Sequence, residues 1–244
     1  MELFYVGIAL FGLFFAGIIK GASGLGYSSC ALPFLAASVG LKSAIVLVVI
    51  PAVVSNIAVM WTAGHFKETV ARFWPFYAAS LPGIVVGIML LGWIDQRIAE
   101  VVLGVLIVAY AVIAVTRPPF FLPERLQRPL QVPAGLLNGL FTGLTGSQVL
   151  PLLPYMLALR LDPDRMVQAV NIAVTLAAGF MAIGLLTAGM MTLPGLGFSI
   201  AATIPAMAGI LIGTRLRRLI LAAQFRIIVL IVLGVLGLIL IIRS

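Results

Sequence analysis

The 244-residue sequence predicts an all-α polytopic membrane protein with two inverted homologous halves, each a broken or re-entrant helical hairpin followed by three transmembrane helices. Three observations predict this fold: the composition, a repeated glycine pattern and the distribution of basic residues. Hydrophobic residues make up 63% of the chain and charged residues 9%, and the mean hydropathy is +1.24. Soluble domains are about 45–50% apolar and about 25% charged. So much apolar surface requires lipid as its solvent.

The apolar residues form ten segments, at 3–19, 27–41, 43–64, 73–94, 98–116, 132–146, 147–160, 166–188, 193–214 and 219–242. A membrane span needs roughly 20 apolar residues, so these segments leave little outside the bilayer. A stretch rich in proline and charge separates two groups of five. We therefore predict a first transmembrane repeat at 1–116, a cytoplasmic linker at 117–131 and a second repeat at 132–244. The N-terminus has no basic region, and we expect it to be retained rather than removed as a signal peptide.

Glycine spacing indicates that the halves are duplicates. The pattern GxxxGxxG occurs twice, 122 positions apart, at Gly17, Gly21 and Gly24 and at Gly139, Gly143 and Gly146. The pattern GxxxG also occurs twice, at Gly83 and Gly87 and at Gly209 and Gly213. One such motif is common wherever transmembrane helices pack closely. Matching motifs in the same order predict an internal duplication.

The basic residues predict the orientation. With the N-terminus outside, the outside connections hold three of the 15 basic residues, namely Lys42, Arg97 and Arg243. The inside connections hold the other twelve, which are Lys20, Lys67, Arg72, Arg117, Arg125, Arg128, Arg160, Arg165, Arg215, Arg217, Arg218 and Arg226. This division agrees with the positive-inside rule. Because each half has five segments, an odd number, the second half enters the membrane from the opposite side, as in transporters with inverted repeats.

The first two segments of each half are unusual. Their second arms, 27–41 and 147–160, are short, follow turns rich in glycine and hydroxyl groups, and are expected to be interrupted by Pro33, Pro151 and Pro154. A matched pair of interrupted segments indicates the binding site of a transporter. Non-helical backbone is tolerated in a bilayer only where protein buries it or where it lines a cavity. We therefore expect the two hairpins to meet near the middle of the membrane.

Broken helices present unpaired N–H groups that suit anions. The predicted substrate-binding residues are Lys20, Ser23, Gly24, Ser28, Ser29, Thr145, Gly146, Ser147, Gln148 and Asn171. In this set Asn171 is an added donor and Lys20 attracts the anion. The alternatives stay open: Lys20 could instead be an interfacial lysine that extends to the membrane surface, and the hydroxyl groups could bond their own helix backbone. Asn56 either bridges two helices or faces the pathway.

Missing residue types exclude several function classes. No Asp or Glu falls within an apolar segment, whereas cation-driven carriers often place a carboxylate there. With one cysteine, Cys30, and one histidine, His65, a disulfide, a paired-imidazole haem or a histidine-based zinc site is not expected. We predict no enzyme activity, no cofactor, no metal and no nucleic-acid partner. The expected partners are a small anion and the lipid bilayer, and a homodimer is left open.

The glycine-rich stretch 17–26 leading to Pro33, its counterpart 135–146 leading to Pro151, and the segment 81–87 resemble the sulfite exporter TauE/SafE family. The resemblance covers almost the whole chain. It implies a multi-pass permease of the bacterial inner membrane that exports sulfite, sulfoacetate or related organosulfonates, with the substrate site in the two hairpins. An anion-selective channel and an importer of another small anion are the alternatives.

Overall fold

The computed structural model describes residues 2–23, 26–116, 121–216 and 222–243, and every regular element in these ranges is an α-helix. The helices are α1 (Glu2–Ser23), α2 (Tyr27–Val39), α3 (Leu41–Ala63), α4 (Phe66–Trp93), α5 (Gln96–Thr116), α6 (Glu124–Gln127), α7 (Gln131–Thr145), α8 (Leu152–Ala158), α9 (Pro163–Thr187), α10 (Leu193–Leu216) and α11 (Ala222–Arg243). Within the described residues, α3, α4, α5, α9 and α10 are long and apolar enough to cross a membrane. The predicted all-helical class is confirmed.

Two helical hairpins form where the interrupted segments were predicted. The second arm of the first hairpin, α2, has 13 residues, and that of the second hairpin, α8, has 7. At 1.5 Å per residue these arms extend roughly 20 and 10 Å, less than the ~30 Å hydrocarbon core. Both arms are therefore too short to cross the membrane.

The prediction that Pro33 interrupts the second segment is wrong, because α2 continues through Pro33 as one helix. Proline is tolerated inside membrane helices where neighbouring groups satisfy the freed backbone carbonyl. In the second hairpin, Pro151 precedes α8 and Pro154 lies in its first turn. At the start of a helix the backbone N–H groups have no carbonyl partner within the helix, so the missing N–H of a proline breaks no hydrogen bond there.

Close glycine contacts join the first helix of each hairpin to a helix of the other predicted half. On α1, Gly17 faces the carbonyl oxygen of Ala206 and Gly21 faces that of Ile210, both on α10. A side chain on either glycine would collide with that backbone. Because both contact positions advance in the same direction, α1 and α10 are parallel.

The same crossing occurs between α7 and α4. Gly139 faces the carbonyl oxygen of Ser80, and Gly143 faces that of Ile84. These contacts also advance together, so α7 and α4 are parallel. The glycine motifs therefore pack backbone against backbone at two equivalent crossings, as small residues allow in membrane helices.

Two further helix pairs are antiparallel. Along α5 and α11, Gly104 contacts Gly237, whereas Ala111, further along α5, lies beside Gly234. Along α3 and α9, residues 45–52 share a cavity with positions 178–181, whereas the later Met60 contacts the earlier Thr175. In each pair the contacts advance in opposite directions.

The hairpins open toward opposite ends of the bundle. Beyond the end of α2, the N–H of Leu41 donates to Glu100 Oε1 at 3.1 Å, near the start of α5. At the end of α8, Ala158 accepts a bond from the N–H of Leu122 at 3.1 Å, in the segment that follows α5. The two tips consequently meet inside the bundle.

Candidate functional site

A small cavity lies where the two hairpin tips meet. Its lining residues come from both hairpins and from the antiparallel pair α3 and α9: Lys20, Gly26, Tyr27, Ser28, Ser29, Asn56, Gln148, Leu153, Val170 and Val174. A second, smaller cavity shares Ser28 and Gln148 with the first and is otherwise lined by Gly146 and apolar side chains. Ser28 and Gln148, one from each hairpin, therefore separate a polar cavity from an apolar one.

Lys20 is the charged group of the polar cavity. Lys20 is 2% exposed, and it is the one charged residue that is buried among the described residues. The ammonium group donates to Asn56 Oδ1 and, at 3.1 Å, to Asn171 Oδ1. Both acceptors are uncharged, and none of the described residues that line the cavity has a carboxylate. Burying a charge without an opposite partner costs several kcal/mol, so this site favours an added anion.

The two asparagines are fixed by their own helices. Asn56 Nδ2 donates to the carbonyl of Ala52 at 2.6 Å, and Asn171 Nδ2 donates to that of Val167 at 2.7 Å. Each amide therefore directs its oxygen at Lys20. Asn56 lies on α3 and Asn171 on α9, so the ammonium connects helices from the two predicted halves.

The first turn of α2 supplies neutral donors. Gly26 precedes α2 with a φ of +86°, a left-handed conformation that favours glycine. The N–H groups of a helix's first turn have no carbonyl partner within the helix, and here they belong to the cavity-lining Tyr27, Ser28 and Ser29. The buried Tyr27 hydroxyl has no hydrogen-bond partner. This end of α2 therefore offers several donors and a partial positive charge.

The second hairpin contributes Gln148. Its Nε2 donates to the carbonyl of Val174 at 3.4 Å, and its Oε1 has no partner. Just before it, Gly146 ends α7 with a φ of +74°, and its N–H donates to the carbonyl of Thr142. The left-handed glycine turns the chain so that Gln148 reaches the cavity.

The sequence matches the family described as Sulfite exporter TauE/SafE over residues 9–240. The chain belongs to this family. No match was found among curated proteins, and none among solved structures. Membership of the TauE/SafE family implies a multi-pass membrane transporter of sulfur-containing anions. This is consistent with the prediction that the protein is not an enzyme.

The fold of this TauE/SafE protein brings together six of the ten predicted site residues. Lys20, Ser28, Ser29 and Gln148 line the polar cavity and Gly146 lines the apolar one, while Asn171 binds Lys20. Ser23 is the last residue of α1, and its side chain lies outside the described part of the structure, as does the whole of Gly24.

Two residues that were predicted to bind substrate through their hydroxyl groups, Thr145 and Ser147, lie at the turn of the second hairpin but line neither cavity. Thr145 Oγ1 donates to the carbonyl of Phe141 at 2.7 Å and accepts from the N–H of Ser147 at 3.2 Å. This is the backbone bonding that the sequence left open as the alternative. The Ser147 side chain is 1% exposed and its Oγ has no partner, but it lines neither cavity.

The interfacial alternative for Lys20 is wrong, because an interfacial lysine keeps its ammonium group in water and this one is buried. Lys20 therefore does not belong to the inside connections that predicted the orientation. Sequence reasoning did not include Tyr27, and it left open whether Asn56 bridges two helices or faces the pathway; Asn56 lines the cavity and binds Lys20. The signal for Tyr27 was its place directly after Gly26, whereas nothing in the sequence shows which side of α3 holds Asn56.

Proposed function

We propose that this protein is a secondary transporter that exports small sulfur-containing anions, such as sulfite or organosulfonates, across the bacterial inner membrane by alternating access. One observation carries the proposal: a buried lysine, held by two neutral amides, lines a cavity between two hairpin tips. Family membership supports the substrate class.

The bound anion would contact donors from both hairpins. The Lys20 ammonium supplies the charge, and charge-assisted hydrogen bonds are about twice as strong as neutral ones. Ser28 and Ser29 supply hydroxyl and backbone donors, and Gln148 supplies an amide. In this proposal Gly146 shapes the second tip, Thr145 bonds the backbone of that turn, and Asn171 holds the Lys20 ammonium. Ser23, Gly24 and Ser147 stay in the proposed site on the sequence pattern.

The helix directions support inverted repeats at 1–116 and 132–244. In that pairing α3 corresponds to α9 and α5 to α11, and each of these pairs is antiparallel. The α1–α10 crossing then corresponds to the α7–α4 crossing, and both are parallel. Movement of one repeat against the other would open the central cavity first to one side of the membrane and then to the other.

Cysteine labelling tests the inverted arrangement. In a Cys30→Ala background, single cysteines at positions 67 and 189 are treated with a membrane-impermeant maleimide on intact and permeabilised cells. Inverted repeats place the two positions on opposite sides of the membrane. Labelling of both positions from the same side would contradict the proposal.

Transport is tested with purified protein in liposomes, measuring counterflow of labelled sulfite in the wild type, in Lys20→Gln and in Lys67→Gln. Loss of a buried charge partner costs 3–5 kcal/mol, so Lys20→Gln should reduce uptake about a hundredfold or more. Lys67 is an exposed lysine, and its variant should match the wild type. Equal uptake by Lys20→Gln would exclude the site, and a non-saturating current would indicate a channel.

A further inference from the structure

We infer that the cavity selects anions that carry a single negative charge, and that Lys20 is the residue that sets this limit. The inference rests on the proposed function and specifies its substrate class. Three features of the site carry it: the number of charges that line the cavity, the direction of the two asparagine dipoles, and the neutral residue at the equivalent position of the second hairpin.

Among the described residues, the lining of the polar cavity carries one formal charge. Lys20 is the one basic residue in that described lining, and none of its residues is acidic. The described lining of the neighbouring cavity has no charged residue. A monoanion beside Lys20 therefore forms a neutral pair, whereas a dianion leaves one negative charge without a partner inside the membrane.

The neutral groups around Lys20 do not compensate a second negative charge. Asn56 and Asn171 direct their carbonyl oxygens toward the ammonium, so the negative ends of two amide dipoles already face this position. Donors such as Gln148 can bond substrate oxygens but add no net charge. Because an unpaired charge is penalised strongly away from water, the second negative charge of a dianion weakens binding.

The second hairpin provides no second cation. The glycine register that aligns Gly17 with Gly139 and Gly21 with Gly143 places Thr142 opposite Lys20. Thr142 is fully buried, and its hydroxyl donates to the carbonyl of Asn138 at 2.7 Å. The two hairpins therefore share their helix packing, but only the first has a cation at this position.

This charge limit separates the substrates that the resemblance in sequence implies together. Sulfite would be carried as its singly protonated form, bisulfite. Sulfonates with no second acidic group fit the limit. Sulfoacetate, which has a carboxylate in addition to its sulfonate, does not fit it.

Two pairs of compounds with nearly equal size test the charge limit. Sulfoacetamide and sulfoacetate differ by one negative charge, as do methanesulfonate and sulfate. Each compound competes with labelled sulfite in wild-type proteoliposomes at one fixed pH. The monoanion of each pair should inhibit at least about tenfold more strongly, as expected from an unpaired buried charge. Equal or stronger inhibition by the dianions overturns the inference and leaves the proposed function intact.

A variant comparison tests whether the single cation sets the limit. Gln148→Lys adds a second cation to the cavity lining, so the preference for the monoanion should fall at least about tenfold, whereas Lys67→Gln should keep the wild-type ratio. An unchanged preference in folded Gln148→Lys would show that a group other than the paired cation sets the limit. The wild-type competition needs no variant, so the inference stays testable if Gln148→Lys does not fold. If the wild type carries none of these anions and no sulfite, the proposed function fails as well.

Discussion

The two hairpins share their packing but differ in charge. The first helix of each one crosses a helix of the other half through glycines at the same spacing, with the backbones in contact. At the equivalent positions Lys20 and Thr142, however, the first hairpin places a cation in the cavity and the second a hydroxyl bonded to its own backbone. The comparison teaches that two hairpins with the same glycine packing differ in charge at the place where the proposed anion would bind.

The largest expected effect tests the shared packing. Gly17→Leu and Gly139→Leu place a side chain against the carbonyl oxygens of Ala206 and Ser80, so the helices must separate. We expect both variants to lose about 3 kcal/mol or more of stability, measured as a fall in the thermal midpoint and in the yield of monodisperse protein. Gly179→Ala is the control, because nothing lies within 4 Å of its added methyl group. Tolerance of one leucine but not the other would show that the crossings are not equivalent.

The next prediction concerns the second tip. Gly146 has a φ of +74°, and a Cβ there would lie 3.0 Å from Ile45 and 3.2 Å from Leu32. Gly146→Val should insert but lose at least about tenfold in transport rate, because strain of roughly 1–3 kcal/mol distorts the tip. Gly189→Val is the matched control, since Gly189 has a similar φ of +69° and open space around it. Because the sequence repeat aligns Gly24 with Gly146, a bulky residue at Gly24 should have the same effect. Normal transport by both variants would contradict a substrate site formed by the hairpins.

Much of the fold could be predicted from the sequence, because its causes are local. Glycine spacing marks close helix crossings, since a missing Cβ is visible in the sequence. The short second arms could be recognised from their length alone. The continuity of α2 through Pro33 could not, because it depends on the surroundings of the helix rather than on the proline itself.

The site was harder to predict, because it depends on contacts between distant positions. Lys20 binds Asn56 and Asn171, which are 36 and 151 positions away. The sequence gives their polarity but not which face of each helix they occupy. Thr145 shows the same difficulty. Its hydroxyl group suggested a donor to the substrate, and only the geometry of the turn shows that this hydroxyl is bonded to the backbone.

A third prediction tests the charge of the first hairpin by supplying an internal anion. Asn171→Asp places a carboxylate 3.1 Å from the Lys20 ammonium, where the amide oxygen now lies. This carboxylate should compete with the substrate and weaken sulfite binding about a hundredfold, because it pairs the buried cation. Asn171→Leu, which removes an acceptor without adding charge, should weaken binding only about tenfold. A smaller effect for the aspartate than for the leucine would contradict a charge-based site.

The smallest expected effect comes from Thr142, the counterpart of Lys20. Thr142→Val keeps the side-chain shape and removes one hydrogen bond to the carbonyl of Asn138, which should cost about 1 kcal/mol of stability. Sulfite uptake should stay at the wild-type level, while Lys20→Gln at the equivalent position loses most of it. The thermal midpoint and the initial uptake rate, measured on the same preparations, separate the two effects. A fall in uptake for Thr142→Val as large as that for Lys20→Gln would mean that both hairpins bind the anion through equivalent positions, and the asymmetry between them would then be limited to formal charge.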